Sequence, residues 1–112
     1  MGNNRLLGGF ESLLLLAVLR LGERAYGVTI RQELMDKAGK DVAVGAIYTG
    51  LDRLERKGLV ESSLGEPTAE RGGRAKRFYR VTAAGLQALS DKQQAVEGML
   101  DGVELSGGDA HA

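Results

Sequence analysis

Residues 71–80, RGGRAKRFYR, hold Arg71, Arg74, Lys76, Arg77 and Arg80 and no acid. Five cations at that density suit a polyanion, and two adjacent glycines let the backbone come close to it. A second constellation lies upstream, in GAIYTGLDRLERKGLV, Gly45 to Val60. At 100° per residue, Val44, Ile47, Leu51 and Leu54 fall within about 80° of one another. Gly45, Ala46, Thr49, Asp52, Arg53 and Arg56 fill the opposite side of the same helix. Small residues there allow a helix backbone to sink towards a flat partner. Thr49 donates, accepts or touches a methyl group, and Arg53 reaches a guanine edge or a phosphate. Tyr48, on the flank, suits two roles equally: packing against the preceding helix, or a phosphate contact.

Other chemistry finds no residues to carry it. His111 is the sole histidine and sits in the C-terminal tail, and there is no cysteine. A thiolate or histidine metal site is therefore not expected, no cofactor is expected, and no serine has a neighbouring base to activate it. Gly72-Gly73 lacks the strand, helix and Lys-Ser/Thr context of a nucleotide loop. The chain reads as a non-enzyme. Its formal net charge is zero, but all 15 basic side chains lie before residue 93, while Glu97, Asp101, Glu104 and Asp109 follow. A basic middle and an acidic tail make a field pattern, not a neutral surface.

These groups need a scaffold, and 112 residues at 43% hydrophobic and 27% charged suffice for one small soluble domain. The apolar run Leu13 to Leu19 is too short for a membrane span, which needs roughly 20 residues. No signal-peptide layout opens the chain, and cysteine-free composition fits a reducing cytoplasm. The spacing predicts helices over 9–21, 26–38 and 44–57, each followed by glycine (Gly22, Gly39, Gly58). The first is apolar nearly all round and should be the most buried. LVESSL (59–64) and AKRFYRVT (75–82) read as strands, joined by a glycine-rich loop. Thr82 suits a helix N-cap, with Val81 and Leu86 placed for a hydrophobic staple. A last helix from Ala83 to about Val103 carries Leu86, Leu89, Gln93, Val96, Leu100 and Val103 at alternating spacings of 3 and 4. That is an a/d seam. Leu86 and Leu89 are expected to pack on their own domain; Gln93, Val96, Leu100 and Val103 have little to cover them except a second copy.

The order α-α-α-β-β-α, mainly α with a β-hairpin wing, is a winged helix-turn-helix. It divides into a DNA-binding domain at 7–82, a C-terminal dimerisation helix at 83–104 and a disordered tail at 105–112. The sequence resembles the PadR family of bacterial transcriptional regulators. The matching residues are LLLLAVLRLGERAYGVTI (13–30), VAVGAIYTGLDRLERKGLVESS (42–63) and RGGRAKRFYRVTAAG (71–85). The resemblance implies a homodimer built largely through the C-terminal helix and repression at promoters, with some members answering to phenolic acids or hydrophobic drugs. Two departures stand out. Ala43 occupies a position where many relatives have Ser, so the third helix lacks a side-chain cap, a loss of about 1 kcal/mol. No tryptophan is present to line a drug pocket.

The expected partners are thus double-stranded DNA bearing an inverted repeat, a second copy of the chain, and a possible small hydrophobic effector; no membrane is expected. Gly45, Ala46, Tyr48, Thr49 and Arg53 would face DNA from the helix, and Arg71, Arg74 and Lys76 from the wing. Leu89, Gln93, Val96, Leu100 and Val103 would form the dimer seam. The alternative class is a winged-helix module that binds protein and not DNA. Salt dependence separates the two, since only phosphate contacts release counterions.

Overall fold

The computed structural model describes residues 6–65 and 76–106. Helix α1 spans Gly9–Leu21 and stops at Gly22, whose φ of 61° a side chain would disfavour. Helix α2 spans Gly27–Ala38, one residue shorter than the spacing predicts. Tyr26 stays extended because its N–H is held by Thr29 Oγ1 at 3.0 Å, closing the first turn. Helix α3 spans Val44–Arg56. Its end follows the expected glycine cap: Gly58 has φ 78°, Leu59 N–H bonds Leu54 O at 2.9 Å, and Leu59 packs on the core.

Strands β1 (Val60–Leu64) and β2 (Arg77–Val81) pair antiparallel, with Val60 opposite Val81 and Ser62 opposite Tyr79. Tyr79 N–H also bonds Ala25 O at 2.9 Å, which ties the hairpin to the start of α2. Helix α4 spans Ala83–Leu100, and Thr82 caps it by accepting Gly85 N–H at 3.0 Å.

The core is where the three first helices meet the hairpin. Leu14, Leu15, Ile30, Ile47, Leu51, Leu54, Val18 and Val60 are fully buried. Each contributes about 1.5–3 kcal/mol by leaving water. The α3 members are the same stripe that the period picked out. Gly50 lets α1 and α3 close up, since a Cβ there would meet Leu14 Cδ1 at 2.5 Å.

Helix α1 carries more buried residues than any other described helix, as its apolar circumference predicts, although Leu16 and Leu19 remain 45% and 42% exposed. Two expectations need correction. Leu86 does not pack on its own domain and stays 49% exposed, so it makes no staple. Gly85 takes the buried place instead, against Leu59 and Val81, and turns α4 so that Ala88 and Leu89 reach the core. Finally, Val103 lies beyond the helix. Asp101 leaves the helical conformation and Gly102 takes φ 80°, so the seam pattern outlasts the helix that would carry it. Of the tail at 105–112, only Leu105 and Ser106 fall within the described residues. No helix among the described residues is long and apolar enough to cross a membrane.

Candidate nucleic-acid interface

Burying Ile47, Leu51 and Leu54 forces the other side of α3 outward. Gly45, Ala46, Tyr48, Thr49, Asp52, Arg53 and Arg56 are all exposed. Ala43 offers no side-chain cap at the start of α3, while Ala46 N–H and Ile47 N–H bond Ala43 O at 3.0 and 3.2 Å. Gly45 is informative here. A Cβ at Gly45 would meet nothing within 4 Å, and its backbone is ordinary helix. Glycine weakens a helix by about 0.5–1 kcal/mol relative to alanine, and nothing among the described residues requires it.

The polar groups on this face are only lightly engaged. Thr49 Oγ1 donates to Gly45 O at 3.0 Å, which leaves its lone pairs free. Arg56 pairs with Asp52 at 2.6 Å, both well exposed, a pair worth about 0.3–0.5 kcal/mol. At the far end of α3, Lys57 bonds Glu11 of α1 at 2.7 Å. That bond holds the Glu11 carboxyl below its usual range, against the opposing effect of burial, with the Gly8 N–H helping. The bond anchors the orientation of α3 against α1.

Tyr48 settles on the packing side of its two roles without losing access to solvent. Its hydroxyl and ring end lie against Gly27, so that a Cβ at position 27 would overlap them, yet the residue is 39% exposed. This accounts for the glycine at position 27. Gly27→Ala should destabilise by about 1–2 kcal/mol by driving the ring from its seat. In a Tyr48→Ala background the same change should cost almost nothing. Urea unfolding of the four proteins in this cycle checks the coupling; equal costs in both backgrounds would mean the contact is not rigid.

Lys76 is exposed, with Nζ 4.9 Å from the centroid of the Tyr26 ring. Tyr26 in turn meets Phe78 edge-on, centroids 5.5 Å apart. The base of the wing is therefore stacked on the start of α2, and Lys76 carries its charge to that junction. Arg71 and Arg74 lie outside the described residues; they belong to the connection between β1 and β2.

The outer face of α3 thus brings Gly45, Ala46, Tyr48, Thr49 and Arg53 together on one helix, with Lys76 on the hairpin beside α2. The proposed seam behaves less uniformly. Leu89 is half-buried in its own core. Gln93 is exposed and donates to Glu97 at 3.0 Å. Val96 and Leu100 are 43% and 40% exposed, and Met99, which the seam spacing omits, is 80% exposed. Among the described residues no group of His, Cys, Asp and Glu could hold a metal ion.

The family model described as transcriptional regulator PadR-like family matches residues 15–91. The transcriptional regulator Rv3488 of Mycobacterium tuberculosis is 37% identical over 86 residues, spanning 77% of this chain and 74% of that protein. A solved PadR family transcriptional regulator from Eggerthella lenta aligns with a TM-score of 0.64 at 29% identity, covering 82% of this chain and 78% of that one. A PadR-like transcriptional regulator from Bacillus cereus aligns with a TM-score of 0.63 at 27% identity, over 82% and 84% of the two chains.

Proposed function

The chain belongs to the PadR-like family of transcriptional regulators, a family of regulators and not enzymes, and from that membership we propose that it is a dimeric, sequence-specific DNA-binding repressor. Helix α3 enters the major groove, with Gly45, Ala46, Thr49 and Arg53 towards base edges and Tyr48 towards the backbone. Lys76, Arg71 and Arg74 bring the wing to phosphates or the minor groove. The operator is an inverted repeat whose half-sites lie about 34–36 Å apart, matching two copies of α3. Division into a DNA-binding unit at 7–82 and a dimerisation helix beginning at Ala83 belongs to the same reading, as does a small hydrophobic effector held between subunits.

The observation that carries this reading is the bare, exposed N-terminal half of α3. Gly45 weakens the helix with no internal compensation, which makes sense if its surface closes on an external partner. The test follows directly. Gly45→Ala should leave the fold intact or stabilise it by about 0.5–1 kcal/mol. Arg53→Ala should also leave it intact, because Arg53 faces away from the core. Both should weaken binding to the upstream region of the regulated gene, located first by footprinting. Arg53→Ala should cost about 1–3 kcal/mol and relax preference at one position of each half-site. Titration of matched and single-mismatch duplexes checks this. Unchanged affinities for both variants would remove α3 from the interface and leave the protein-binding module as the better account.

A further inference from the structure

Between the outer flank of α3 and the base of β2 runs an open groove of about 720 Å³, lined by Tyr48, Asp52, Glu55, Arg56, Arg77 and Tyr79. No aliphatic side chain among the described residues borders it, so it is not built to receive an apolar ligand. Two guanidinium groups reach it from opposite walls, Arg56 from the helix and Arg77 from the strand. Each is held by one contact. Arg56 pairs with Asp52, and Arg77 Nη1 donates to Ser62 Oγ at 3.0 Å, whose hydroxyl donates in turn to Glu55 Oε2 at 2.8 Å.

Glu55 is half-buried and committed to Ser62, while Arg77 is exposed. A guanidinium has five N–H donors in a rigid fork. Arg77 uses one of them on Ser62 and meets no other acceptor among the described residues. The arrangement is that of a cation positioned in advance: a carboxylate fixes a hydroxyl, the hydroxyl fixes one edge of the guanidinium, and the other edge faces the groove. Tyr79 forms the floor. Its burial raises its phenol above the usual range, against the pull of Arg77, so the floor stays uncharged.

We propose that this groove seats a backbone phosphodiester of bound DNA, with Arg77 as its principal ligand, Arg56 opposite, and Glu55 and Ser62 as the residues that position Arg77. The proposal rests on the DNA-binding reading above and deepens it by adding a phosphate contact from Arg77, at the base of the wing, beside the outer face of α3. An open groove suits a sugar-phosphate chain passing through, whereas a closed pocket would suit a free anion. Asp52 then acts as a counterweight. It occupies Arg56 in the free protein and repels the phosphate that replaces it, which restrains binding to arbitrary DNA.

A phosphate contact is independent of sequence, so the test needs no operator. Fluorescence anisotropy with a random duplex of about 30 base pairs, repeated across a range of salt, measures affinity and its log–log slope. Arg77→Ala should make the slope shallower by about one, and Arg77→Lys should keep it. Ser62→Ala should weaken binding several-fold without altering the slope, and should have no effect in the Arg77→Ala background. Asp52→Asn should tighten binding several-fold. An unchanged slope in Arg77→Ala, or an equal loss from Ser62→Ala in both backgrounds, would overturn the seat. Failure of the wild-type protein to bind any duplex with salt dependence would instead overturn the DNA-binding reading itself.

Discussion

Val96→Asp yields a folded monomer that has lost its operator. The expectation follows from an asymmetry in what Val96 touches. In the single chain it is 43% exposed, on the C-terminal half of α4, where every residue but Ala95 is exposed from Gln93 onward. An aspartate there meets water and costs the protomer little. Across a seam with a second copy, the same carboxylate would be buried without a partner, at several kcal/mol. Sedimentation should therefore show monomer, and circular dichroism should keep its helical signal. Affinity for the operator should fall about a thousandfold or more, towards the non-specific level, because one half-site at a time is engaged. Affinity for random duplex should fall far less. A variant that stays dimeric and binds normally would place the dimer elsewhere, with Leu16 and Leu19 of α1 the next surface to test.

Helix α3 was legible in the sequence because two independent signals agreed on it. Ile47, Leu51 and Leu54 set its inner stripe, and Gly58 set its end; its outer face is simply what remains. The hairpin was legible as two strands with a loop between them. Its attachment was not. The bond from Tyr79 N–H to Ala25 O joins residues far apart in the chain, and no local pattern encodes it. The groove of Arg77, Ser62 and Glu55 has the same origin. Arg77 reads as one cation among five until the register sets Ser62 opposite Tyr79 and brings Glu55 alongside.

The last helix shows how a period misleads. A seam drawn through Leu86 and Leu89 counts apolar side chains and ignores Gly85, yet close approach decided which face turned inward. Lys92 shows the same rotation: one turn beyond Leu89, its ammonium reaches back to Leu7 O at 2.7 Å, from a g position that flanks the seam. Val103 illustrates the converse. Its spacing continues the seam, but Asp101-Gly102 had already ended the helix. For the same reason, Met99, off the ideal spacing, presents more apolar surface than any seam position on the helix.

Gly85→Ala should be the most damaging small change in the chain. A Cβ at Gly85 would overlap the carbonyl oxygen of Leu59 and lie 2.6 Å from Val81 Cγ1. The carbonyl cannot yield as a side chain could, because it already accepts Thr82 N–H at 3.0 Å. Thr82 Oγ1 donates to Gly58 O at 2.7 Å and accepts Gly85 N–H, so one threonine locks the start of α4 to the turn that ends α3. Accommodating the methyl group means pulling α4 off this turn, losing the cap as well as the contact. The cost should be about 3 kcal/mol or more, lowering the melting temperature by roughly 10 °C or more. Gly98, on the same helix, provides the control: a Cβ there would meet nothing within 4 Å, and Gly98→Ala should be neutral or stabilising. The functional consequence distinguishes a junction from mere packing. If α4 carries the dimer and α3 reads DNA, this turn sets the distance between the two copies of α3. Gly85→Ala, assayed well below its melting temperature, should then lose operator affinity more than random-duplex affinity, with its oligomeric state unchanged. Equal losses on both duplexes would mean the junction stabilises the protomer and plays no part in spacing the recognition helices.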